Sequence, residues 1–466
     1  MKYNTETMQK IAQQIAEMVK TAVVEQIERE QGRPTIADIE QGMREAFREL
    51  GQSSLGIVLS GLQKTPEREI DCACGGRLYY QRKRAAMVIS VFGRVRYERA
   101  YYAKCQCKKG KAPLDEAYGL EPGAVTAGLA ALLAQAGVAF SYDESPRWIE
   151  AFLLFDVAEN TVRSETEKMG VLQAKTEEEW IEQSQAEGYL QERERQPGMI
   201  AKQLYGSMDA AKVRIEPRPK KGEAKEAHED WRDMKTLCWY EVEEVSPAQQ
   251  TIRQRRKVER EQPALRTKNM RYFCDIREAE EFGKLLWATG CRLNADLSPE
   301  LIFLGDGALW IWNLVHKYYP QAVQILDWFH AEEHLEAVAE AAFTDLAKRA
   351  AWLEPVTQSL WEGQVEDVIR ACQALAETCQ KASQAAAYFS NNRERMRYDC
   401  FRAAGYMIGS GTIESACKQI VTHRLCLPGA QWEVEGAVQT AKARASWLSG
   451  TWQSLCQARS ALPLGI

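Results

Sequence analysis

The sequence predicts a multidomain α/β protein that carries an all-α insertion. Residues 197–330 alternate between strand-like apolar runs and stretches with helical spacing, which is typical of a mixed sheet covered by helices. Residues 331–404 have helical periodicity throughout, and residues 405–466 are expected to complete the α/β core. A chain of 466 residues is too long for one compact core, so several domains are expected.

Composition and charge are those of an ordinary globular protein. Hydrophobic residues make up 45% of the chain and charged residues 27%, with a net charge of −5. No apolar run approaches the roughly 18–20 residues that cross a bilayer, and the first residues lack the apolar segment of a signal peptide. We therefore expect a cytoplasmic protein with no membrane partner.

Three segments are expected to precede the core. Residues 1–70 form a helical arm, in which Thr35 can cap the second helix. Residues 71–115 form a small cysteine-rich β unit with a turn at Phe92 and Gly93. Residues 116–196 contain a helix-turn-helix and end in a solvated linker helix from 175 onwards.

The helix-turn-helix is predicted around residues 145–170. Its second helix carries Asn160, Thr161 and Arg163 on a polar face, where they can reach bases or phosphates in a major groove. Any two-helix corner can mimic this pattern, so DNA contact by these three residues is an open expectation.

Two cysteine pairs bracket the β unit, as Cys72-x-Cys74 and Cys105-x-Cys107. Four thiolates on neighbouring turns can hold a tetrahedral zinc ion. The interval of 30 residues is longer than in common zinc ribbons, so reduced free thiols are the alternative. The other nine cysteines are predicted to be small buried thiols.

Five strands are predicted within the core. Three follow one another directly, and two more are each preceded by a helix: 200–215, 234–245, 270–276, 301–307 and 322–330. This order is that of a ribonuclease H-like sheet.

Asp306 stands between Gly305 and Gly307, just past a buried strand. Open α/β sheets place their sites at the carboxyl ends of strands. Glycines on both sides would let a metal ion and a phosphodiester approach closely. An aspartate that caps the following helix explains the pattern equally well.

Asp209 and Glu414 are the next candidates, because two-metal phosphoryl transfer needs at least three carboxylates around ions roughly 4 Å apart. Asp209 lies in the middle of the first predicted strand, and Glu414 in the first turn of a helix that follows a Gly-Ser-Gly segment. An ordinary first-turn glutamate is the alternative for Glu414. The rivals of Asp209 are three acids in loops or at strand ends: Asp230, Asp233 and Asp275.

Asp327 and His330 end the fifth predicted strand. His330 could hydrogen-bond a phosphate or position the DNA strand to be cut. A satisfied structural histidine is the alternative.

Basic residues are concentrated between the second and third strands of the core. Residues 250–271 contain eight lysines and arginines and two glutamates, a balance that suits phosphate neutralisation. A solvated loop is the alternative. The candidate DNA contacts in this block are Arg253, Arg255, Arg256, Lys257 and Arg260, and a second patch consists of Arg393, Arg395 and Arg397.

Four motifs, taken together, resemble the ISKra-type DDE transposases of bacterial insertion sequences, close to the Mutator-like group. They are SMDAAKV around Asp209, LGDGALWIW around Asp306, LDWFHAEEHL with Asp327 and His330, and GSGTIESACK around Glu414. The resemblance implies a ribonuclease H-like core with a helical insertion before the final glutamate. The 107 residues between Asp306 and Glu414 suit such an insertion.

The resemblance also implies a chemistry. Asp209, Asp306 and Glu414 would hold two Mg²⁺ or Mn²⁺ ions, with Asp209 bridging them and His330 and Asp327 as an auxiliary pair. The partner would be double-stranded DNA, at transposon ends and at the target, bound by a homodimer or larger assembly associated with the nucleoid. The alternatives are a ribonuclease H-like endonuclease, and a DNA-binding regulator or domesticated transposase without strand transfer.

Overall fold

The computed structural model describes most of the chain. The described residues are 35–63, 65–195, 198–216, 230–246, 264–409 and 411–461, with six further positions between 9 and 20. The chain divides into two compact units, Met1–Met169 with Gln453–Ile466, and Gly170–Trp452. Most of the predicted first helix and the basic residues Arg253, Arg255, Arg256, Lys257 and Arg260 lie outside the described residues.

Eight strands are described, in two sheets. The strands are β1 (Glu69–Asp71), β2 (Arg77–Ser90), β3 (Gly93–Ala103), β4 (Gln203–Ile215), β5 (Asp230–Glu244), β6 (Leu265–Asp275), β7 (Glu300–Gly305) and β8 (Val323–Leu326). The first sheet has the order β1-β2-β3 and is antiparallel. The second has the order β6-β5-β4-β7-β8, with β4, β7 and β8 parallel to one another and the other pairs antiparallel.

Seventeen α-helices are described. They are α1 (Ile36–Gly61), α2 (Pro113–Tyr118), α3 (Ala127–Ala139), α4 (Ser145–Leu153), α5 (Glu159–Gln185), α6 (Tyr189–Arg195), α7 (Ala279–Arg292), α8 (Leu309–Tyr318), α9 (Trp328–Ala342), α10 (Leu346–Trp361), α11 (Val365–Gln373), α12 (Gln380–Asn392), α13 (Tyr398–Ala403), α14 (Gly411–Cys417), α15 (His423–Leu425), α16 (Val434–Leu448) and α17 (Trp452–Ala461). No helix among the described residues is long and apolar enough to cross a membrane.

The first unit is built around the β2–β3 hairpin. Helix α1 begins at Thr35, whose side chain forms a capping box with Asp38, as its position in the sequence predicted. The alternating residues Val95 and Tyr97 of β3 are buried, and they form a core with Leu59 of α1. The predicted small β unit is therefore covered on one face by a helix.

Helices α4 and α5 form the predicted two-helix corner, but the prediction that a solvated linker helix follows it is wrong. Helix α5 continues to Gln185, and Glu177, Ile181 and Ser184 on it are buried. The charged composition of this segment concealed a buried face, because several of its polar groups have partners inside the protein.

The second unit contains the predicted α/β core. Its mixed five-stranded sheet and its covering helices confirm the α/β class. Trp239, Phe303 and Tyr319 form an aromatic cluster in the core, with ring centroids 5.5–5.9 Å apart. The indole N–H of Trp239 donates to Thr289 at 2.9 Å, so this large side chain is buried without an unsatisfied donor.

Residues 328–403 are helical, as predicted for the insertion, and comprise α9 to α13. The fifth strand is shorter than predicted, since β8 ends at Leu326. Asp327 caps α9 by accepting a hydrogen bond from the Phe329 N–H at 3.2 Å. His330 therefore lies in the first turn of a helix and not in a strand. The apolar WF pair fits either structure, and the cap decides between them.

A buried ion cluster joins α5, β6 and α16. Lys442 contacts Glu177, and its Nζ lies 2.8 Å from Oδ2 of Asp275; all three side chains are at most 6% exposed. Gln173 donates to Glu177 at 2.9 Å, and Arg277 lies 2.8 Å from Asp275. Burial raises the pKa of Glu177, against the opposing effect of Lys442. The cluster thus depends on its single lysine for charge balance at the centre.

We expect Lys442→Met to destabilise the protein by about 3–5 kcal/mol, because it leaves two buried carboxylates without their shared cation. Thermal unfolding followed by circular dichroism measures the change. Lys284→Met is the matched control, since the Lys284 side chain is 41% exposed and pairs with Glu281 on its own helix. Equal, small shifts for both variants would show that Asp275 and Glu177 are neutral or solvated in solution.

Candidate functional site

The register of the parallel strands brings Asp209 and Asp306 together. Ser207 of β4 lies opposite Leu304 of β7. Two residues further along each strand direction, Asp209 and Asp306 reach the same level. Neighbouring strands are about 4.8 Å apart, so the two aspartates start from adjacent backbone positions.

The next strand adds a third aspartate to the row. Gly305 of β7 lies opposite Leu326 of β8, and the Asp327 N–H donates to the Gly305 carbonyl at 2.8 Å. Asp306 and Asp327 are therefore level with each other, each one residue past the end of its strand. Three aspartates therefore lie side by side, Asp209 within β4 and Asp306 and Asp327 just past the carboxyl ends of β7 and β8, where α/β sheets carry their sites.

Asp306 has a local structural role as well. Its Oδ1 accepts a hydrogen bond from the Ala308 N–H at 2.9 Å, which fixes the turn into α8. Gly307 has φ +95°, and a Cβ there would lie 2.7 Å from the Tyr388 ring. The sequence pattern suggested glycines that admit a ligand; at Gly307 the requirement comes from backbone conformation and from internal packing.

Asp209 and Asp306 are both half-buried, whereas Glu414 is exposed. Burial raises the pKa of Asp209, the Ala210 N–H at 2.6 Å and the Cys417 thiol oppose that rise by hydrogen bonding, and the charge of Asp306 adds to it. A carboxylate in this state is ionised only at a cost. A cation between Asp209 and Asp306 would offset this cost.

Asp327, His330 and Glu414 form a second set. One ligand atom from each lies within 4.8 Å of the others, a spacing that can hold a metal ion. The His330 Nε2 is 4.0 Å from Asp327 Oδ2, and its Nδ1 is 3.2 Å from Glu333. Asp327 is fully buried, whereas Glu414 is exposed. The set therefore opens to solvent on the Glu414 side.

Glu414 reaches this position through the segment that follows the helical insertion. The Trp328 N–H donates to the Ile408 carbonyl at 2.9 Å, which ties that segment to the start of α9. A Cβ on Gly409 would lie 2.8 Å from the Phe329 ring, so a larger residue there would have to displace that ring. Helix α14 then begins and places Glu414 in its first turn, as predicted, before the backbone widens into a π-helical turn.

The five candidate groups thus form two neighbouring sets. The charge of Asp306 raises the pKa of Asp209, and the charge of His330 lowers it. Glu414 is grouped with Asp327 and His330, and no group of three ligands with the same spacing combines it with both Asp209 and Asp306 in the described part of the chain. The pair predicted as auxiliary is therefore part of the closest cluster.

The helical insertion contacts the site through Tyr388. Its hydroxyl donates to the Asp306 backbone carbonyl at 2.8 Å, and its ring lies 3.9 Å from that of His334, centroid to centroid. Burial lowers the pKa of His334, and the charge of His330 adds to this effect. Tyr388 holds the Asp306 turn from outside the sheet.

Two residues at the site were not predicted from the sequence. Cys417 lies three positions after Glu414 on α14, and this spacing, which places both on one helix face, was a usable signal. Tyr388 had no such signal, because it is separated from Asp306 by 82 positions.

A separate metal-binding group lies in the first unit. The four sulfur atoms of Cys72, Cys74, Cys105 and Cys107 lie within 4.8 Å of one another. The three contacts of Cys72–Cys107, Cys72–Cys74 and Cys74–Cys105 measure 3.5, 3.4 and 3.3 Å. A tetrahedral zinc–thiolate site has sulfur atoms about 3.8 Å apart, given zinc–sulfur bonds of about 2.3 Å. This group could therefore bind a metal such as zinc.

The two cysteine turns have the same backbone design. The N–H three residues after the first cysteine returns to its carbonyl at 2.9 Å, from Gly75 to Cys72 and from Lys108 to Cys105. Both donors have positive φ, 84° and 60°. Left-handed lysine is uncommon, and such strain persists where the surroundings demand it. A hydrogen bond from the Gly76 N–H, with others from Cys105 and Cys72, lowers the pKa of Cys74 to about 6.

The predicted DNA contacts differ in availability. Asn160 is exposed at the start of α5, Thr161 is half-buried, and Arg163 is half-buried with Nε 2.7 Å from Glu167. Arg395 donates to Gln324 at 2.8 Å and lies over the Trp312 ring at 4.5 Å. These contacts give Arg395 a structural role, and its contact with DNA stays a prediction.

We expect Asp209→Asn to raise the melting temperature of the metal-free protein. A raised carboxyl pKa means that ionisation costs stability, so the gain grows as pH rises from 3.8 through the raised pKa and is absent at lower pH. A gain of about 1 kcal/mol would shift the melting temperature by roughly 2–4 °C. Melting curves at several pH values, with Asp233→Asn as control, measure it; a loss of stability at pH 8 would contradict the assigned cause.

We expect Tyr388→Phe to weaken metal binding at Asp306, because groups that orient a ligand typically contribute roughly 10-fold or more to metal affinity. The readout is the Mn²⁺ concentration that gives half of the maximal rise in melting temperature. Tyr318→Phe is the control, since it removes a tyrosine hydroxyl from α8. An unchanged half-point would reduce Tyr388 to a packing residue against Gly307.

Comparison with known proteins adds no family to this geometry. No protein-family model matches the chain, and no curated protein matches it in sequence. The functional conclusion therefore rests on the residues, their positions and their charges.

Proposed function

We propose that this protein is a DDE transposase that cuts and joins DNA with divalent metal ions. The observation that carries the proposal is the row of three aspartates across the parallel strands, completed by His330 and Glu414. Asp209 lies within β4, and Asp306 and Asp327 directly follow the carboxyl ends of β7 and β8. Carboxylate oxygens in this number suit two ions, as phosphodiester chemistry requires.

The fold supports a ribonuclease H-like interpretation. When the five core strands are numbered along the chain, their order across the sheet is three, two, one, four and five. Strands one, two and three pair antiparallel, and strands four and five run parallel to strand one. Five helices separate the fifth strand from the helix that carries Glu414. Both features agree with the resemblance to ISKra-type transposases.

The residues present fit Mg²⁺ or Mn²⁺. Burial and the charge of Asp306 make ionised Asp209 costly, and a cation would relieve this cost. Asp209 and Asp306 would hold one ion, and Asp327, His330 and Glu414 would hold the other. Bound there, the ions would supply positive charge to the phosphate and favour deprotonation of the attacking group.

The remaining work falls to the protein's own side chains. Asp306 is held in place by its bond to Ala308 and by Tyr388, and Asp327 by its cap on α9. In the first step water attacks phosphorus and the bond to the 3′-oxygen breaks, which leaves a 3′-hydroxyl. In the second step that hydroxyl attacks a target phosphodiester and the target's own 3′-oxygen leaves.

We expect Asp306→Asn to lower strand cleavage by about 10³-fold or more, since a lost metal ligand removes several kcal/mol of transition-state stabilisation. DNA binding should persist. Cleavage and joining of labelled duplexes with Mn²⁺ measure the first effect, and a binding titration the second.

Asp233→Asn is the matched control for this experiment. Asp233 lies on β5 of the same sheet, but it is exposed and its Oδ1 pairs with Lys212 at 2.8 Å. Full activity of Asp306→Asn would refute the site. Cutting without joining by the wild type would favour the endonuclease, and binding without cutting the DNA-binding regulator.

We also propose that the four-cysteine group binds one structural zinc ion. Its two matching turns and its sulfur spacing support the assignment. A Cβ on Gly76 would lie 2.9 Å from the Cys105 sulfur, so the backbone leaves room for the thiols alone. The ion would link the base of β1 and β2 to the end of β3.

The purified wild type is expected to contain about one zinc per chain, and the double variant Cys72→Ser/Cys105→Ser none, because four thiolates are needed to close the site. Elemental analysis measures both. Cys400→Ser/Cys426→Ser is the control, since those two thiols are exposed and free. A wild type without zinc after purification in zinc-containing medium would leave the cysteines as reduced thiols.

A further inference from the structure

The β2–β3 hairpin is strongly basic in a chain that is acidic overall. Residues 77–103 contain seven arginines and lysines and one glutamate, against a net charge of −5 for the whole chain. Unlike the basic block at 253–260, the hairpin lies wholly within the described residues, so the position of each of its charges is known.

Two of the seven cations have carboxylate partners. Arg77 lies 3.0 Å from Asp71, and buried Arg99 contacts Asp115. The other five are exposed, and none of them has an ion-pair partner within the described ranges: Arg82, Lys83, Arg84, Arg94 and Arg96. Five unpaired cations repel one another across the hairpin, so folding alone does not explain their number.

The strand register collects three of them on one face. Arg94 and Arg96 alternate with buried Val95, and thus point away from the core. Arg96 lies opposite exposed Met87. Lys83 lies on the same face of β2, four positions before Met87. Exposed Glu98 alternates in the same way and lies on this face as well. Three cations and one carboxylate around Met87 leave the outer face positively charged, with a small apolar centre.

We infer that the outer face of the β2–β3 hairpin binds the phosphate backbone of double-stranded DNA. This inference rests on the proposed function only in naming DNA as the polyanion. The major groove is about 12 Å wide and admits a two-stranded β-ribbon, and cations on both strands can reach the phosphates on its two sides. The four-cysteine group at the base of the hairpin restrains its strands, so the ribbon is ordered before it binds.

A different function for these cations is protection of an open strand edge. β1 pairs with β2 only as far as Tyr79, and lysines and arginines at such an edge discourage association with other chains. The two functions differ in what the removal of the charges does: edge protection affects aggregation, and a DNA surface affects the salt dependence of binding.

The test uses the full chain with Lys83→Ala, Arg94→Ala and Arg96→Ala combined, and a fluorescent duplex titrated at several salt concentrations. The slope of log affinity against log salt is negative, and its magnitude is expected to decrease by about 2.7, or about 0.9 for each phosphate contact removed. The control combines Lys284→Ala, Lys317→Ala and Arg370→Ala, three surface cations of the second unit that already pair with carboxylates. The control slope should equal that of the wild type.

A folded triple variant with an unchanged slope overturns the inference, and so does one that aggregates but binds as the wild type does. If the triple variant fails to fold, Arg96→Glu alone should still decrease the magnitude of the slope, by about 1. An equal slope in that variant also overturns the inference. The readout is binding, so a chain that binds through this face but never cuts DNA supports the surface and refutes the transposase.

Discussion

The candidate site depends on the parallel pairing of β4, β7 and β8. This pairing places Asp209, Asp306 and Asp327 at one level, and it does so although Asp209 and Asp306 lie almost a hundred positions apart in the chain. Carboxylates gathered in this way repel one another and lose solvent, which the raised pKa of Asp209 reflects. The sheet therefore holds an electrostatic arrangement that a bound cation would stabilise.

The elements around the row keep it rigid. Asp306 accepts a hydrogen bond from the N–H of Ala308, just before α8, and Asp327 one from the N–H of Phe329 in α9, so both carboxylates are oriented by local turns. Tyr388 reaches the Asp306 carbonyl from the insertion, and Ile408 binds the start of α9. The helical insertion is thus part of the support of the site, since it fixes one aspartate and delivers Glu414 to another.

The hairpin of the first unit is likewise held by neighbouring elements. Helix α1 covers one face of the hairpin, and the four cysteines join the strand ends. Small β units bury little apolar surface, so a metal ion would contribute much of their stability. Ala100 and Tyr102 of the outer face pack near the cysteines, whereas Arg94 and Arg96 on the same face are exposed to solvent.

The sequence by itself determined the local elements. Apolar spacing predicted the five core strands and the long helical segment, and the β2–β3 region was predicted as strands, whereas β1 falls largely in the segment predicted as a helical arm. The Thr35 cap was visible as a residue type, and the cysteine pairs indicated a possible metal group. It misjudged α5, where charged residues proved to be buried, and the end of β8, where a capping aspartate starts a helix. These errors arise because local patterns do not show which polar groups find partners.

Only the tertiary structure decided which side chains meet. Glu414 lies with Asp327 and His330, Cys417 touches Asp209, and Tyr388 supports Asp306. Each of these contacts joins distant parts of the chain, and its geometry follows from strand register and from the route of the segment after the insertion. Residue types and spacing carry the candidate chemistry; distances between carboxylates, which decide how ions would be shared, exist only once the sheet has formed.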